Sequence, residues 1–201
     1  MRNSIVIIGA GGHGRVCAEI ASAMGYQKIQ FLDDQPQGKS NVVGTTEDLA
    51  LYSETSDFFV ALGSKLLRSV FFEKIRAVNG TFATLIHPNS VVSKTAVIGE
   101  GSVVMAGTVI NAGANIGRGV IINTCSSVDH DCVIGDFCHI AVGAHLAGTV
   151  AIGAQTLIGA GAVVINNLTV AADVTVGAGA AVIGHITEAG TYVGVPARKV
   201  N

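Results

Sequence analysis

Residues 98–182 read IGEGSVVMAGTVINAGANIGRGVIINTCSSVDHDCVIGDFCHIAVGAHLAGTVAIGAQTLIGAGAVVINNLTVAADVTVGAGAAV, and every sixth residue of this stretch is aliphatic. The register runs Ile98, Val104, Ile110, Ile116, Ile122, Val128, Ile134, Ile140, Leu146, Ile152, Ile158, Val164, Val170, Val176 and Val182, fifteen positions without an insertion, and Val92 and Ile86 extend it backwards. A period of six matches neither a helix nor a single alternating strand. It matches a hexapeptide parallel β-helix, in which each unit gives one short strand and one corner and the aliphatic side chain points inward onto its equivalents in the neighbouring coils. Fifteen rungs at three per coil predict about five coils. One coil is too narrow to enclose a substrate, so chemistry is expected in grooves between neighbouring solenoids.

Composition agrees with that shape. With 201 residues the chain has room for one large or two small domains, and 49% hydrophobic content suffices for a core. Only 13% of residues are charged, Trp is absent and 26 residues are Gly, a bias expected where small residues fill tight corners. The net charge of -2 and the lack of a Lys/Arg run argue against a nucleic-acid partner and leave small molecules. The apolar stretch at the start is too short for a signal peptide or a membrane span, so neither membrane insertion nor export is expected, and the reading is cytoplasmic. Cys17, Cys125, Cys132 and Cys138 form no CxxC pair and read as small apolar filler, without metal or disulfide.

Before the repeat, strands alternate with helices. Strands are expected at 4–8, 28–32, 57–62 and 82–86, helical stretches at 15–24, near 46–51 and at 65–79, and a loop at 36–44, which together predict a parallel sheet. The His87-Pro88-Asn89 turn marks the join, giving a Rossmann-like α/β domain at 1–87 and an all-β solenoid domain at 88–201. After Val182 the phase is lost, and the tail from Ile186 to Val200 is expected to cap the open edge.

Gly9-Ala10-Gly11-Gly12-His13-Gly14 follows a strand, opens a helix and satisfies G-x-G-x-x-G, with Asp33 nineteen residues beyond Gly14. Such glycines let backbone approach a pyrophosphate, the helix N-terminus favours its charge, and the acid at the end of the second strand accepts from a ribose hydroxyl. NAD and a UDP-sugar both carry those groups. A domain of about 85 residues lacks the second mononucleotide half a nicotinamide cofactor uses, so a nucleotide sugar fits better. A plain tight turn is the structural alternative, and His13 inside it argues against that.

The polar cluster within the repeat is the segment from Asn123 to Ile134. There His130 lies two places after the inward Val128, hence near a corner, between Asp129 and Asp131. A carboxylate beside an imidazole fixes its tautomer and raises its basicity, the arrangement of a general base, although exposed corners also collect polar residues without a role. His139 stands nine residues on, half a coil away, so cooperation with His130 requires a second subunit. His145 and His185 read as surface residues and His87 as structural.

The combination of GAGGHG at 9–14, MGY at 24–26, FLDD at 31–34, FVALG at 59–63, LIHP at 85–88, the run from Asn123 to Gly148 and YVGVPAR at 192–198 resembles the PglD-like, NeuD-type family of bacterial sugar O/N-acyltransferases over nearly the whole chain. The resemblance implies a left-handed β-helix, a homotrimer, and acetyl-CoA in the groove between adjacent solenoids. It implies His130 as general base with Asp131 as the acid behind it, where the family's bacillosamine enzyme has Glu. Asn123 matches an active-site asparagine and His139 a histidine that contacts acetyl-CoA. Ala160 and Ala178 fall where backbone groups meet the coenzyme. Gly11, Gly12, His13, Asp33, Asp34 and Gly63 match the nucleotide-sugar site. No metal is implied, and His145 stands where the bacillosamine enzyme has Lys, so no role is carried to it.

The expected reaction is transfer of acetyl from acetyl-CoA to the amine of a nucleotide-linked, UDP by preference, 4-amino-4,6-dideoxy sugar. It proceeds by direct attack in a ternary complex, with a backbone N–H near Gly148 as candidate oxyanion donor. O-acetylation of a sugar hydroxyl of the sialic-acid kind is the alternative within the enzyme class. A non-catalytic nucleotide-sugar-binding solenoid is the alternative outside it.

Overall fold

The computed structural model describes residues 2–35, 38 and 40–200, which form two compact units that divide between residues 88 and 89. In the first, β1 (Ser4–Ile8), β2 (Lys28–Leu32), β3 (Val42–Gly44), β4 (Asp57–Val60) and β5 (Thr81–Phe82) make a parallel sheet in the order β3-β2-β1-β4-β5. Helices α1 (Gly12–Ala23) and α2 (Lys65–Ala77) connect the strands. Apart from their first residues, Ser4 and Asp57, β1 and β4 are apolar runs and buried throughout, as a strand covered on both faces must be. The chain leaves β1 for β2 on one side and later reaches β4 on the other. Strand order therefore reverses beside β1, and the crevice beyond the strands' carboxyl ends is where open α/β sheets bind ligands.

Several expected boundaries move. The loop at 36–44 contains β3, while residues 36, 37 and 39 lie outside the described residues. The strand expected at 82–86 is broken into Thr81–Phe82, which joins the sheet, and a separate Leu85–Ile86. β4 stops at Val60, and the stretch from Thr46 to Tyr52 is a 3-10 helix. That short helix begins in a capping box, Thr45 receiving Glu47 N–H while Asp48 receives Thr45 N–H at 2.7 Å, a device worth about 1 kcal/mol.

The second unit is a parallel β-solenoid. Two-residue strands recur every six residues and pair in parallel with the strand eighteen residues on, as in Val109–Ile110 with Ser127–Val128 and Ser127–Val128 with His145–Leu146. One wall is a six-stranded sheet from Val91–Val92 to Ala181–Val182, so the solenoid has about six coils rather than five, because strands before Ile98 complete the first turn. Ile110, Ile122, Val128, Ile140, Ile158 and Val176 are fully buried, each contributing about 2 kcal/mol by leaving water.

The corners are as periodic as the core. From residue 101 to residue 179 every sixth residue has positive φ, supplied by glycine at half the corners and by Cys125, Asp131, Phe137, Thr149, Gln155, Asn167 and Asp173 at the others. A β-branched residue such as Thr149 is strained there, and it is held by stacking coils rather than by its own preference. A second series sits one place later. Ser102, Thr108, Cys132, Cys138 and Thr156 each donate to the carbonyl fifteen residues on, at 2.8, 3.0, 3.2, 3.0 and 3.0 Å. The buried Cys132 and Cys138 are thus weak donors to carbonyls, a sharper role than apolar filler, and all four cysteines are free thiols.

The tail closes the open end. Gly190–Val193 adds in parallel to Val174–Val176, and Arg198–Val200 folds back antiparallel on Gly190–Val193, covering an edge that would otherwise template another chain.

Candidate active site

His130 stands at a corner whose backbone is fixed on both sides. Asp131 N–H donates to Ala112 one coil earlier at 2.9 Å, and His130 C=O accepts from Thr149 one coil later at 2.9 Å. The His130 Nδ1 lies 2.9 Å from Asp131 Oδ2, with about half or more of both side chains exposed, at 56% and 65%. An ionised carboxylate only accepts, so Nδ1 carries the hydrogen and Nε2 keeps its lone pair. The Asp131 hydrogen bond is the main reason the His130 pKa lies above the ordinary imidazole value, with the charges of Asp129 and Asp131 adding to it.

The two flanking acids do different work. Asp129 Oδ1 accepts His130 N–H at 2.8 Å and the Asn111 side-chain amide at 2.7 Å. Those two bonds hold its pKa below the usual carboxylate value. No hydrogen bond joins it to the ring, so Asp129 holds the backbone while Asp131 sets the tautomer. Gly148 lies eighteen residues after His130, and a Cβ there would sit 2.4 Å from His130 Nε2. Glycine at 148 is what leaves the imidazole its place. The Thr149 N–H is taken by His130 C=O.

His139 belongs to a different wall, on strand His139–Ile140, and its Nε2 is 3.0 Å from Asn123 Nδ2. Asn123 Oδ1 accepts Thr124 N–H at 2.8 Å, which fixes the amide so that its NH2 faces the ring. The structure thus joins Asn123 to His139 and, separately, His130 to Asp131. The exposed Ala160 and Ala178 stack one coil apart, where Ala160 C=O accepts Gly179 N–H at 2.8 Å.

In the first unit the glycines divide into two kinds. A Cβ on Gly14 would fall 2.0 Å from Gly9 O, and one on Gly9, at φ +98, 2.8 Å from Leu62, so the chain's own packing requires both. Gly11 and Gly63 have nothing within 4 Å, and Gly12 has only the Arg15 guanidinium at 4.0 Å. These three are exposed, and no neighbour demands their smallness. α1 starts at Gly12, earlier than expected, with Gly11 as N-cap and no side-chain cap, so its leading N–H groups stay open. His13 consequently lies in the first helical turn, 3.8 Å from Cys17 Sγ. Burial first, and then the Arg68 guanidinium, push its pKa down to about 4. It is a neutral imidazole.

Both acids after β2 already serve as fasteners. Asp33 accepts Ala10 N–H at 2.7 Å and Gln35 N–H at 2.8 Å, and Asp34 accepts Thr46 N–H at 2.9 Å and its hydroxyl at 3.1 Å. Asp33 thereby ties the glycine loop to the end of β2. Both acids line a cavity of ≈ 360 Å³ at the carboxyl ends of the strands, together with Gly9, Leu62, Phe71 and Lys74. Among the described residues no helix is long and apolar enough to cross a membrane, and no group of three His, Cys, Asp or Glu is placed to hold a metal.

Residues 4–75 match the family described as the PglD N-terminal domain. The UDP-N-acetylbacillosamine N-acetyltransferase of Bacillus subtilis is 39% identical over 110 residues, a stretch spanning 50% of each protein. A structure of the acetyltransferase domain of PglB from Neisseria gonorrhoeae, in complex with acetyl coenzyme A, superposes with a TM-score of 0.95 at 44% identity, covering 100% of both chains. The chain belongs to the PglD-like family of sugar N-acetyltransferases. PerB from Caulobacter crescentus, in complex with CoA and GDP-perosamine, is 39% identical with a TM-score of 0.94 over 98% of this chain and 97% of that one.

Asn111, Gly148 and Ser127, whose hydroxyl is 2.8 Å from His145 Nδ1, were not singled out for a role by the six-residue register, apart from the oxyanion donor near Gly148. The signal is a period of eighteen: Asn111 to Asp129, Ser127 to His145 and His130 to Gly148 are each one coil apart.

Proposed function

We propose that this protein transfers the acetyl group of acetyl-CoA to the amine of a nucleotide-linked 4-amino-4,6-dideoxy sugar, with His130 as general base. The observation that carries the reading is the His130 Nδ1–Asp131 Oδ2 bond of 2.9 Å, which presents a basic Nε2 over Gly148. A sugar nitrogen attacks the thioester carbonyl, forming C–N, while His130 Nε2 takes the nitrogen's proton and Asp131 steadies the imidazolium. The Gly148 N–H meets the oxyanion. Collapse breaks C–S, and the proton passes from His130 to the departing thiolate. No covalent enzyme intermediate is needed.

Residues 1–87 bind the nucleotide sugar: Gly11, Gly12 and Gly63 admit the diphosphate to the open N-terminus of α1, His13 offers a neutral ring nitrogen, and Asp33 and Asp34 shape the cavity. UDP is the preferred nucleotide. Residues 88–201 bind acetyl-CoA, with Asn123 and His139 at the acyl end and the backbone of Ala160 and Ala178 along the coenzyme. Three chains assemble so that His130 of one copy faces His139 of the next, in the cytoplasm. A panel of UDP-, GDP- and dTDP-linked 4-amino sugars, followed by thiol release and product mass spectrometry, tests this. Alkali-stable amide product is expected. An ester product, or nucleotide-sugar binding without acetyl-CoA turnover, overturns it.

A further inference from the structure

Asp129 is an acid beside the base that the mechanism above leaves without a chemical task. Its Oδ1 is committed to His130 N–H and to Asn111 Nδ2, while no hydrogen bond engages Oδ2 among the described residues. The same side chain lines a groove of ≈ 350 Å³ together with Ser127, His145, Leu146, Val163 and Asn166. His130 follows Asp129 directly, and Gly148, against its Nε2, follows the groove residue Ala147. The groove thus has both polar and apolar lining, and its residues Asp129 and Ala147 are the chain neighbours of His130 and Gly148.

A primary amine on a sugar is protonated at neutral pH, as amino groups generally are. An ammonium has no lone pair, so the acceptor must first be held as a cation and then lose a proton. Among the described residues that line the groove Asp129 is the one acid, and its Oδ2 accepts no hydrogen bond. We propose that Asp129 binds the acceptor's ammonium in this groove and delivers it to His130, with Asn111 as the positioning residue that aims the carboxylate. The inference rests on the acetyl-transfer reading above. The ammonium donates to Asp129 Oδ2 and gives one proton to His130 Nε2, which releases it to solvent. The freed lone pair then attacks the thioester, and His130 takes the second proton and returns it to the sulfur. The balance is ammonium plus thioester to amide, thiol and one released proton.

The two acids thereby separate in kinetics. Asp131 acts on the basicity of His130 and belongs to kcat and its pH profile, whereas Asp129 acts on capture of the charged acceptor and belongs to its KM. The test uses the full chain with acetyl-CoA, a UDP-linked 4-amino-4,6-dideoxy sugar, and the matching 4-hydroxy sugar as an inhibitor. Asp129→Asn keeps the oxygen that Asn111 and His130 N–H use. It should raise KM for the amine about tenfold, the loss of one charge-assisted contact. KM for acetyl-CoA and Ki of the 4-hydroxy sugar should change less than about twofold. Asn111→Ala should shift the amine KM in the same direction by a smaller factor. An unchanged amine KM in Asp129→Asn overturns the proposal while wild-type turnover leaves the acetyl-transfer reading standing. Equal weakening of the amine and the 4-hydroxy sugar overturns it too, since that is loss of shape and not of charge. Absence of wild-type turnover with every amino sugar defeats the parent reading instead.

Discussion

The same residue types, one histidine and two aspartates, occur at both candidate subsites and are put to opposite uses. At the glycine loop His13 is largely buried, lies near the Arg68 guanidinium and is held neutral with a pKa of about 4, while Asp33 and Asp34 spend their oxygens on backbone N–H groups and a hydroxyl. At the solenoid corner His130 is exposed, bonded to Asp131, and its pKa is raised. Composition does not decide which histidine is a base. Desolvation and a like charge strip one of its proton, and an adjacent carboxylate strengthens the hold of the other.

The sharpest break of that comparison is to remove each ring. His130→Ala should cut kcat by about 10²–10⁴-fold, whereas His13→Ala should act mainly on KM for the nucleotide sugar. A residual rate within about threefold of wild type for His130→Ala would refute the base assignment. Gly148→Ala comes next. Its Cβ, 2.4 Å from His130 Nε2, must displace the ring, so kcat should fall about 100-fold, as catalytic misplacement of an ångström does, with little change in Tm.

Glycine substitutions in the first unit sharpen the contrast between structural and functional smallness. Gly14→Ala should destabilise that unit, seen as a drop in Tm, because its Cβ would fall 2.0 Å from Gly9 O. Gly11→Ala, with nothing within 4 Å, should leave Tm unchanged and weaken nucleotide-sugar binding in calorimetry.

The smallest effects are in pH. Activity should decline as pH falls through the raised His130 pKa, because the protonated ring is no base. Asp131→Asn removes the main cause of that shift and should move the acid limb down towards 6.5 while lowering the plateau rate. For His13 the sign runs the other way: its folded pKa is depressed, the unfolded chain binds more protons between about 6.5 and 4, and stability should be lost as pH falls through that window. Proton NMR of the two rings should find His130 charged and His13 neutral at pH 6.

Much of the fold was legible because repetition amplifies it. Fifteen aliphatic residues in one phase leave a single way to bury all of them, and His130 between two acids stood out against rungs of Gly, Ala and Val. The boundary residues of the first unit were less legible: β3 in the 36–44 loop is a three-residue strand recruited by pairing with β2, and Leu85–Ile86 separates from Thr81–Phe82 through a break that no local propensity marks.

Site detail depended on what the fold brings together. Sequence pattern named Asp33 as an acceptor for ribose and gave no sign that its carboxylate also accepts Ala10 N–H, twenty-three residues away, once β1 and β2 pair. Asp129 and Asp131 are symmetric about His130 in the chain and unlike in space, since Asp131 has the left-handed φ of the corner and Asp129 does not.

By itself, then, the sequence determined the coil and the glycine loop and set His130 apart between its two acids, because each is a local or periodic pattern of residue types. Only the tertiary structure decided the stacked partners, Asn111 on Asp129, Gly148 against His130 and Ser127 on His145, which meet across one eighteen-residue turn. The physical reason is that a side chain's proton and its free lone pair are set by neighbours in space, and in a solenoid the nearest of those lie one coil away.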